Sequence, residues 1–289
     1  MSAIVHHRRI EVDGVDVFYR EAGPADAPVV LLPHGYPCSS FEFRRYMAEL
    51  GDRWHLVAPD LPGWGYSATP DDFDYSFAGQ GAFLGRFADA LGLQRYALYL
   101  HDYGSQFGYR LALARPERVT ALIIQNGDVY EDALGPKYAT LLEHWRNPTP
   151  DGRARLAEAV SEDGFRDEFL GELPEELRDR LTPDLWTLAW RQLDTPRRRE
   201  LIVDLFEDQA TTLPFFADIQ AYLREHRPPT LIVWGPHDGY MPEESARAYL
   251  RDLPDAELHL LGGGHWLLET HLDEVVALSR DFLGRVHSD

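Results

Sequence analysis

The sequence predicts an α/β fold: a mostly parallel sheet, covered by helices on both faces and interrupted once by a helical insertion. Two observations predict it. Short, nearly continuous apolar runs alternate with helix-like segments through both ends of the chain. That alternation stops between residues 129 and 227, where every pattern is helical and rich in charge.

The elements follow in order. Ile10–Val12 and Val15–Arg20 flank Asp13–Gly14, a two-residue hairpin signal that places an antiparallel edge at the start of the sheet. Buried strands are expected at Val29–Leu32, His55–Ala58, Tyr96–His101, Val119–Gln125, Leu231–Trp234 and Glu257–Leu261, since each is a short apolar run bounded by turn residues. In the insertion, "KYATLLEHW", "RARLAEAV", "PEELRDRL", "PDLWTLAWRQL", "RRELIVDLF" and "FADIQAYLREH" read as helices separated by prolines and polar turns. The expected organisation is therefore a core in two parts, residues 1–128 and 228–289, with a helical cap over residues 129–227. Such a cap would sit over the carboxyl ends of the strands, where open α/β sheets bind ligands.

A chain of 289 residues can bury a large core, and a hydrophobic content of 44% suits a globular protein. The formal net charge of −20 repels phosphate backbones, so nucleic acid is not an expected partner. No apolar run is long enough to span a bilayer, and "MSAIVHHRRI" has no apolar segment after its basic residues, so a cytoplasmic protein without a membrane partner is expected. The single cysteine, Cys38, excludes an intrachain disulfide and a cysteine-rich zinc site, and is read as a packing residue. The lid carboxylates, Glu131 and Asp132 among them, form no convincing metal cluster. Composition sets no oligomeric state.

The stretch "LHDYGSQFGYR" lies where a strand turns into a helix. A nucleophile elbow at such a turn lifts one side chain over the sheet and needs compact neighbours two positions away. That register centres on Asp102, with Gly104 two residues after and Leu100 two before. Ser105 is the competing centre, but it would be flanked by Tyr103 and Phe107 and would fall inside the helix. A helix N-cap carboxylate is the structural alternative for Asp102. Asp238 follows a predicted strand in "VWGPHDGYMP", and His265 follows the last one in "LLGGGHWLLE". Singly, either could be a turn or surface residue. Jointly, nucleophile, acid and histidine at three strand ends form a hydrolytic constellation. The loop "LLPHGYPCSS" follows an early strand, where the backbone N–H of Tyr36 could supply one oxyanion donor and that of Tyr103 the other. Cis peptide bonds cluster at proline, so Tyr36–Pro37 is the expected cis bond of this loop.

Together, "HGYP", "APDLPGWGYSATP", "LHDYGSQFGYRLALARPERV", "LIVWGPHD" and "GGGHW" resemble the aspartate-nucleophile branch of the α/β-hydrolase superfamily, the epoxide hydrolases and haloalkane dehalogenases. The resemblance covers nearly the whole core and is weak over the insertion. It implies an α/β-hydrolase fold with Asp102 attacking carbon to form an alkyl ester, His265 activating water, and Asp238 orienting the imidazole. It implies neither metal nor organic cofactor, and a small hydrophobic organic substrate. Family epoxide hydrolases often have an aromatic residue where Tyr36 stands, whereas many dehalogenases carry Asn or Glu there and a Trp after the nucleophile, where this chain has Tyr103. Haloacetate dehalogenases usually have arginine at that second position. Epoxide opening to a diol is thus the expected reaction, with carbon–halogen cleavage as the alternative and a non-catalytic binder of the same fold as a different class. Tyr138 and Tyr222 are the candidate lid phenols for protonating a leaving alkoxide. His34, Trp145, Trp186, Trp190 and Trp266 are further candidate substrate contacts. Trp145, Trp186, Trp190 and Phe215 are expected to line the inner face of the lid.

Overall fold

The computed structural model describes residues 2–193 and 195–288. The first half runs β1 (His6–Val12), β2 (Val15–Ala22), β3 (Val29–Leu31), α1 (Arg44–Leu50), β4 (His55–Pro59), α2 (Phe77–Ala90), β5 (Tyr96–His101), α3 (Asp102–Ala114) and β6 (Val119–Gln125). Among the described residues, seven α-helices follow without a strand: α4 (Ala139–Arg146), α5 (Pro150–Ala159), α6 (Glu162–Leu170), α7 (Glu175–Arg178), α8 (Asp184–Gln192), α9 (Pro196–Asp208) and α10 (Thr212–His226). The chain then returns to the sheet through β7 (Thr230–Trp234), α11 (Glu243–Ala248), β8 (Glu257–Leu260), α12 (Leu267–Thr270) and α13 (Leu272–Val286).

The eight strands form one sheet in the order β1-β2-β4-β3-β5-β6-β7-β8. β1, β2 and β4 pair antiparallel and all later pairs are parallel. The hairpin between β1 and β2 turns through Asp13 and Gly14, both at positive φ (49° and 80°), as a two-residue primed turn requires. Every residue of β4, β5 and β7 is buried, so these strands read as continuous apolar runs. Side chains still alternate. Leu98 and Leu100 of β5 join one cluster, with Phe83, Phe87 and Phe107 from α2 and α3. Ala97 and Tyr99 join the other, with Tyr46, Met47, Val275 and Phe282 from α1 and α13.

The strands match the expected runs to within a few residues. The helices between β6 and β7 differ more. The expected helix over "PEELRDRL" is a single turn, α7, and α6 falls in a stretch for which no helix was expected. Among the described residues, no helix is long and apolar enough to cross a membrane.

Candidate active site

Asp102 is the first residue of α3, directly after β5, and its φ is +49°. A non-glycine residue held there is strained, and only a tightly packed turn sustains it. The packing is visible at its neighbours. A Cβ on Gly35 would lie 2.5 Å from the Asp102 Cβ, and one on Gly104 would lie 2.0 Å from the carbonyl oxygen of Pro33. Both glycines let the loop after β3 close against the elbow. That loop contains the cis Tyr36–Pro37 bond, and the Tyr36 N–H donates to Asp102 Oδ1 at 2.6 Å. Tyr103 follows in the first turn of α3, where backbone N–H groups have no intrahelical acceptor.

His265 lies beyond β8 and Asp238 beyond β7, so the loops at the carboxyl ends of parallel strands converge. His265 Nδ1 is 2.7 Å from Asp238 Oδ2, and His265 Nε2 is 3.5 Å from Asp102 Oδ2. Asp238 Oδ1 accepts from the N–H groups of Tyr240 (2.9 Å) and Met241 (3.0 Å), and Oδ2 also accepts from Asn126 Nδ2 at 2.8 Å. Burial pushes the Asp238 carboxyl up, but the His265 charge and these hydrogen bonds outweigh it and hold the group below the usual carboxylate range. Burial pulls the His265 imidazole down, yet Asp238, then Asp102 and Glu168, lift it to about 9. The main chain of His265 is anchored too: its carbonyl accepts from Gln125 Nε2 at 3.0 Å and lies 3.2 Å from His101 Nε2.

These groups open onto a cavity of about 220 Å³. Its lining includes Tyr36, Asp102, Tyr103, Asp238 and His265 from the core, with Tyr138, Glu168, Phe206 and Gln209 from the segment between β6 and β7. Tyr103 donates to Gln209 Oε1 at 3.0 Å, and Gln209 Nε2 donates to the Tyr138 hydroxyl at 3.3 Å. Beside Tyr138 lies Asp128, whose carboxyl burial raises to about 7; Tyr138 pulls it down and Asp102 and Asp238 push it further up. Trp266 also lines the cavity, with its indole N–H donated to the Glu168 carbonyl at 3.0 Å.

The remaining expected contacts lie elsewhere. His34 is buried behind the loop, accepting from the Leu61 N–H through Nε2 and stacking edge-on to Trp64, so it braces the turn. Tyr222 packs on His226 and near Tyr96, at the opposite end of β5 from Asp102. Trp145 donates its indole N–H to the Phe206 carbonyl and backs Tyr138. Trp190 and Trp186 are displaced from the cavity by α6, whose Phe165 stands between Trp190 and Tyr36 and whose Phe169 contacts both Trp186 and Trp266. Phe215 lies beneath the Arg110 guanidinium of α3. Ser105 turns its hydroxyl back to the Asp102 carbonyl at 2.6 Å, and Cys38 is buried against Phe169 and Trp266 with its thiol pushed up by burial.

Among the residues at the site that carry no expectation from the sequence are Asn126, Asp128, Glu168, Gln209 and Tyr240. Asn126 directly follows β6, at φ +39°, and ties Asp238 to the Gly235 backbone. A polar residue before a glycine at a strand end was the signal available for it.

A family model described as the alpha/beta hydrolase fold matches residues 28–272. The chain belongs to that family and is a hydrolase-fold enzyme. It is similar to an uncharacterized hydrolase of Saccharomyces cerevisiae, 32% identical with 98% of this chain and 97% of the relative covered. A cis-3-alkyl-4-alkyloxetan-2-one decarboxylase of Xanthomonas campestris is 27% identical, with 96% of each chain covered. The solved structure of the haloalkane dehalogenase DbeA from Bradyrhizobium elkani is 26% identical, covers 99% of this chain and 98% of its own, and superposes with a TM-score of 0.78.

Proposed function

We propose that the protein opens epoxides to diols through an ester on Asp102. The observation that carries this reading is the set of donors around Asp102. Tyr36, Tyr103, Tyr138 and Tyr240 line the cavity, whereas Trp266, the one tryptophan among the described lining residues, already donates its indole N–H to Glu168. An alkoxide leaving group is strongly basic and needs a proton, which a phenol can give; a halide needs only a cradle of N–H groups.

In this reading Asp102 Oδ2 attacks the less hindered epoxide carbon, the ring C–O bond breaks, and Tyr138 gives the oxygen its proton. Ester formation removes the Asp102 charge that helps hold His265 at about 9. The imidazole pKa then falls, the imidazolium releases its proton to solvent, and neutral His265 takes a proton from water as that water attacks the ester carbonyl. Asp238 holds Nδ1 and offsets the imidazolium charge. The Tyr36 N–H, 2.6 Å from Asp102 Oδ1, and the Tyr103 N–H stabilise the oxyanion of the tetrahedral intermediate. The helices between β6 and β7 act as a lid that keeps bulk water out, and the substrate is a small, largely apolar molecule.

Two variants separate the steps. His265→Gln should trap the ester as a mass increase on the peptide containing Asp102, and Asp102→Ala should abolish both adduct and turnover. In a single turnover of the parent in heavy-oxygen water, label should enter the Asp102 carboxylate before the diol. The substrate panel includes epoxides, haloalkanes and an oxetan-2-one, because the relatives above carry dehalogenase and oxetanone decarboxylase names. Halide release without diol from any epoxide would favour the dehalogenase reading instead. Normal turnover by Asp102→Ala would require another nucleophile.

A further inference from the structure

We infer that Glu42 and His101 form a second buried acid–histidine pair, set behind the first, that positions His265 as the base of ester breakdown. The inference rests on Asp102 forming an ester and on no particular leaving group. His101 is the last residue of β5 and directly precedes Asp102. Glu42 lies in the short 3₁₀ turn Ser40–Phe43 that leads into α1. Both side chains are buried, and neither lines the cavity.

The His101 ring faces an oxygen at each nitrogen. Nε2 is 3.2 Å from the His265 carbonyl oxygen, and Nδ1 is 3.4 Å from Glu42 Oε1. A carbonyl only accepts, so the proton of the first bond is on Nε2. The Glu42 carboxyl selects this arrangement. Whether the proton of the second bond sits on Nδ1 or on Oε1, the ring keeps its Nε2–H. Without Glu42, a neutral imidazole is free to carry its one proton on Nδ1 and turn a bare lone pair on the carbonyl. Glu42 thus does for His101 what Asp238 does for His265.

The bond falls where it governs the base. The His101 ring lies against the His265 ring, with centroids 4.4 Å apart and planes inclined at 40°. Trp266 stands edge-on to both rings, at 5.3 and 5.0 Å. The His265 carbonyl takes its other bond from Gln125 Nε2 at 3.0 Å, and the Gln125 oxygen is occupied by the Tyr99 hydroxyl. These two donors fix the main chain that carries the catalytic ring. Packing gives a weak reason for an acid at position 42. Its Oε2 is buried without a partner, and nearby Arg44 bonds Glu269 instead, at 2.7 and 3.1 Å. An acid kept at that cost to stability points to a role at His101.

Aiming the base matters to one step. Asp102 attacks carbon without His265, whereas water attack on the ester needs the imidazole directed at the water. Loss of the pair should slow ester breakdown and spare ester formation.

The test follows the ester on Asp102 by mass in rapidly quenched single turnovers with styrene oxide and with bromobutane. Glu42→Leu should form ester at the parent's rate and break it down about tenfold more slowly, within the cost of a misaimed group. Ester then accumulates, short of the lasting trap expected of His265→Gln. Glu42→Gln should break ester down near the parent's rate, because its amide donates to Nδ1 and leaves the proton on Nε2. His101→Phe keeps a ring against His265 but has no N–H. It should accumulate ester as Glu42→Leu does, so either variant decides if the other does not fold. Equal slowing of both steps in the folded variants, or breakdown at the parent's rate, overturns the assignment. So does a Glu42→Gln as slow as Glu42→Leu. These outcomes leave the Asp102 ester intact. No ester from either compound, in the parent or in His265→Gln, overturns the ester reading and this assignment with it.

Discussion

Asn126 shows how much of the candidate site depends on residues buried outside the cavity lining. Its amide donates to Asp238 Oδ2 and to the Gly235 carbonyl, and its oxygen accepts from the Gly235 N–H. Removing it leaves a buried carboxylate lone pair and two backbone groups unsatisfied. Asn126→Ala should therefore lose about 1–3 kcal/mol of stability in urea titrations. It should also lower kcat more than it raises KM, because the acid that orients His265 is loosened while the cavity wall stays. Unchanged kcat would show that Asp238 is held by its backbone donors alone. Asp102, Asp238 and His265 were legible in the sequence because each follows an apolar strand directly, and a short loop after a parallel strand has few places to go. Asn126 and Tyr240 were not. Their roles arise from which neighbours the sheet order brings together, and for Asn126 the local trace is no more than a polar residue before a glycine at a strand end.

The same division holds for the elements. Strands were readable almost to their ends because those at the sheet centre are buried on both faces and lack polar interruptions. α6 was not, because "EDGFRDEFL" offers a glycine, a run of charges and only two buried residues, Phe165 and Phe169, at helical spacing. The Ser161 cap, whose hydroxyl accepts from the Gly164 N–H, was the one local signal of its start. Missing it had a consequence for the site. α6 lies between α8 and the cavity, so tryptophans expected at the substrate are one layer out, and Glu168 enters unannounced. Phe165 should then matter more than Trp190, since it is fully buried and meets Tyr36 edge-on at 5.6 Å, while Trp190 is only partly buried. Phe165→Ala should cost roughly 3–5 kcal/mol by chemical denaturation, the range for emptying a buried aromatic site. Trp190→Ala should cost distinctly less. The reverse order would place the wall of the cavity at α8 after all.

At the scale of the whole molecule, burial makes a carboxylic acid without a charged partner expensive to ionise, and neighbouring carboxylates add to the cost. Asp128 is the sharpest case: 5% exposed, with Oδ2 unpartnered, and raised from 3.8 to about 7. Because the folded-state value lies above the unfolded one, the native state binds the extra proton between those two pH values. Stability from this group is therefore undiminished below pH 3.8 and declines as pH rises to about 7, beyond which the loss is complete. His265 is also raised, from 6.5 to about 9, but its effect falls in the higher window. Its stabilisation is full below pH 6.5 and is lost as pH rises through 9. The two windows meet near neutrality, so the parent should lose stability on both sides of pH 7 as the solution is made more alkaline. Asp128→Asn isolates the first window, since the amide keeps the shape and cannot ionise. At pH 8 it should be more stable than the parent, with roughly 4 kcal/mol as the ceiling set by the size of the shift. At pH 4 the gain should shrink towards zero, because the parent is then protonated at that site too. Thermal unfolding of both proteins across this range checks it: a melting-temperature difference that does not grow with pH would mean that Asp128 is not buried as an acid.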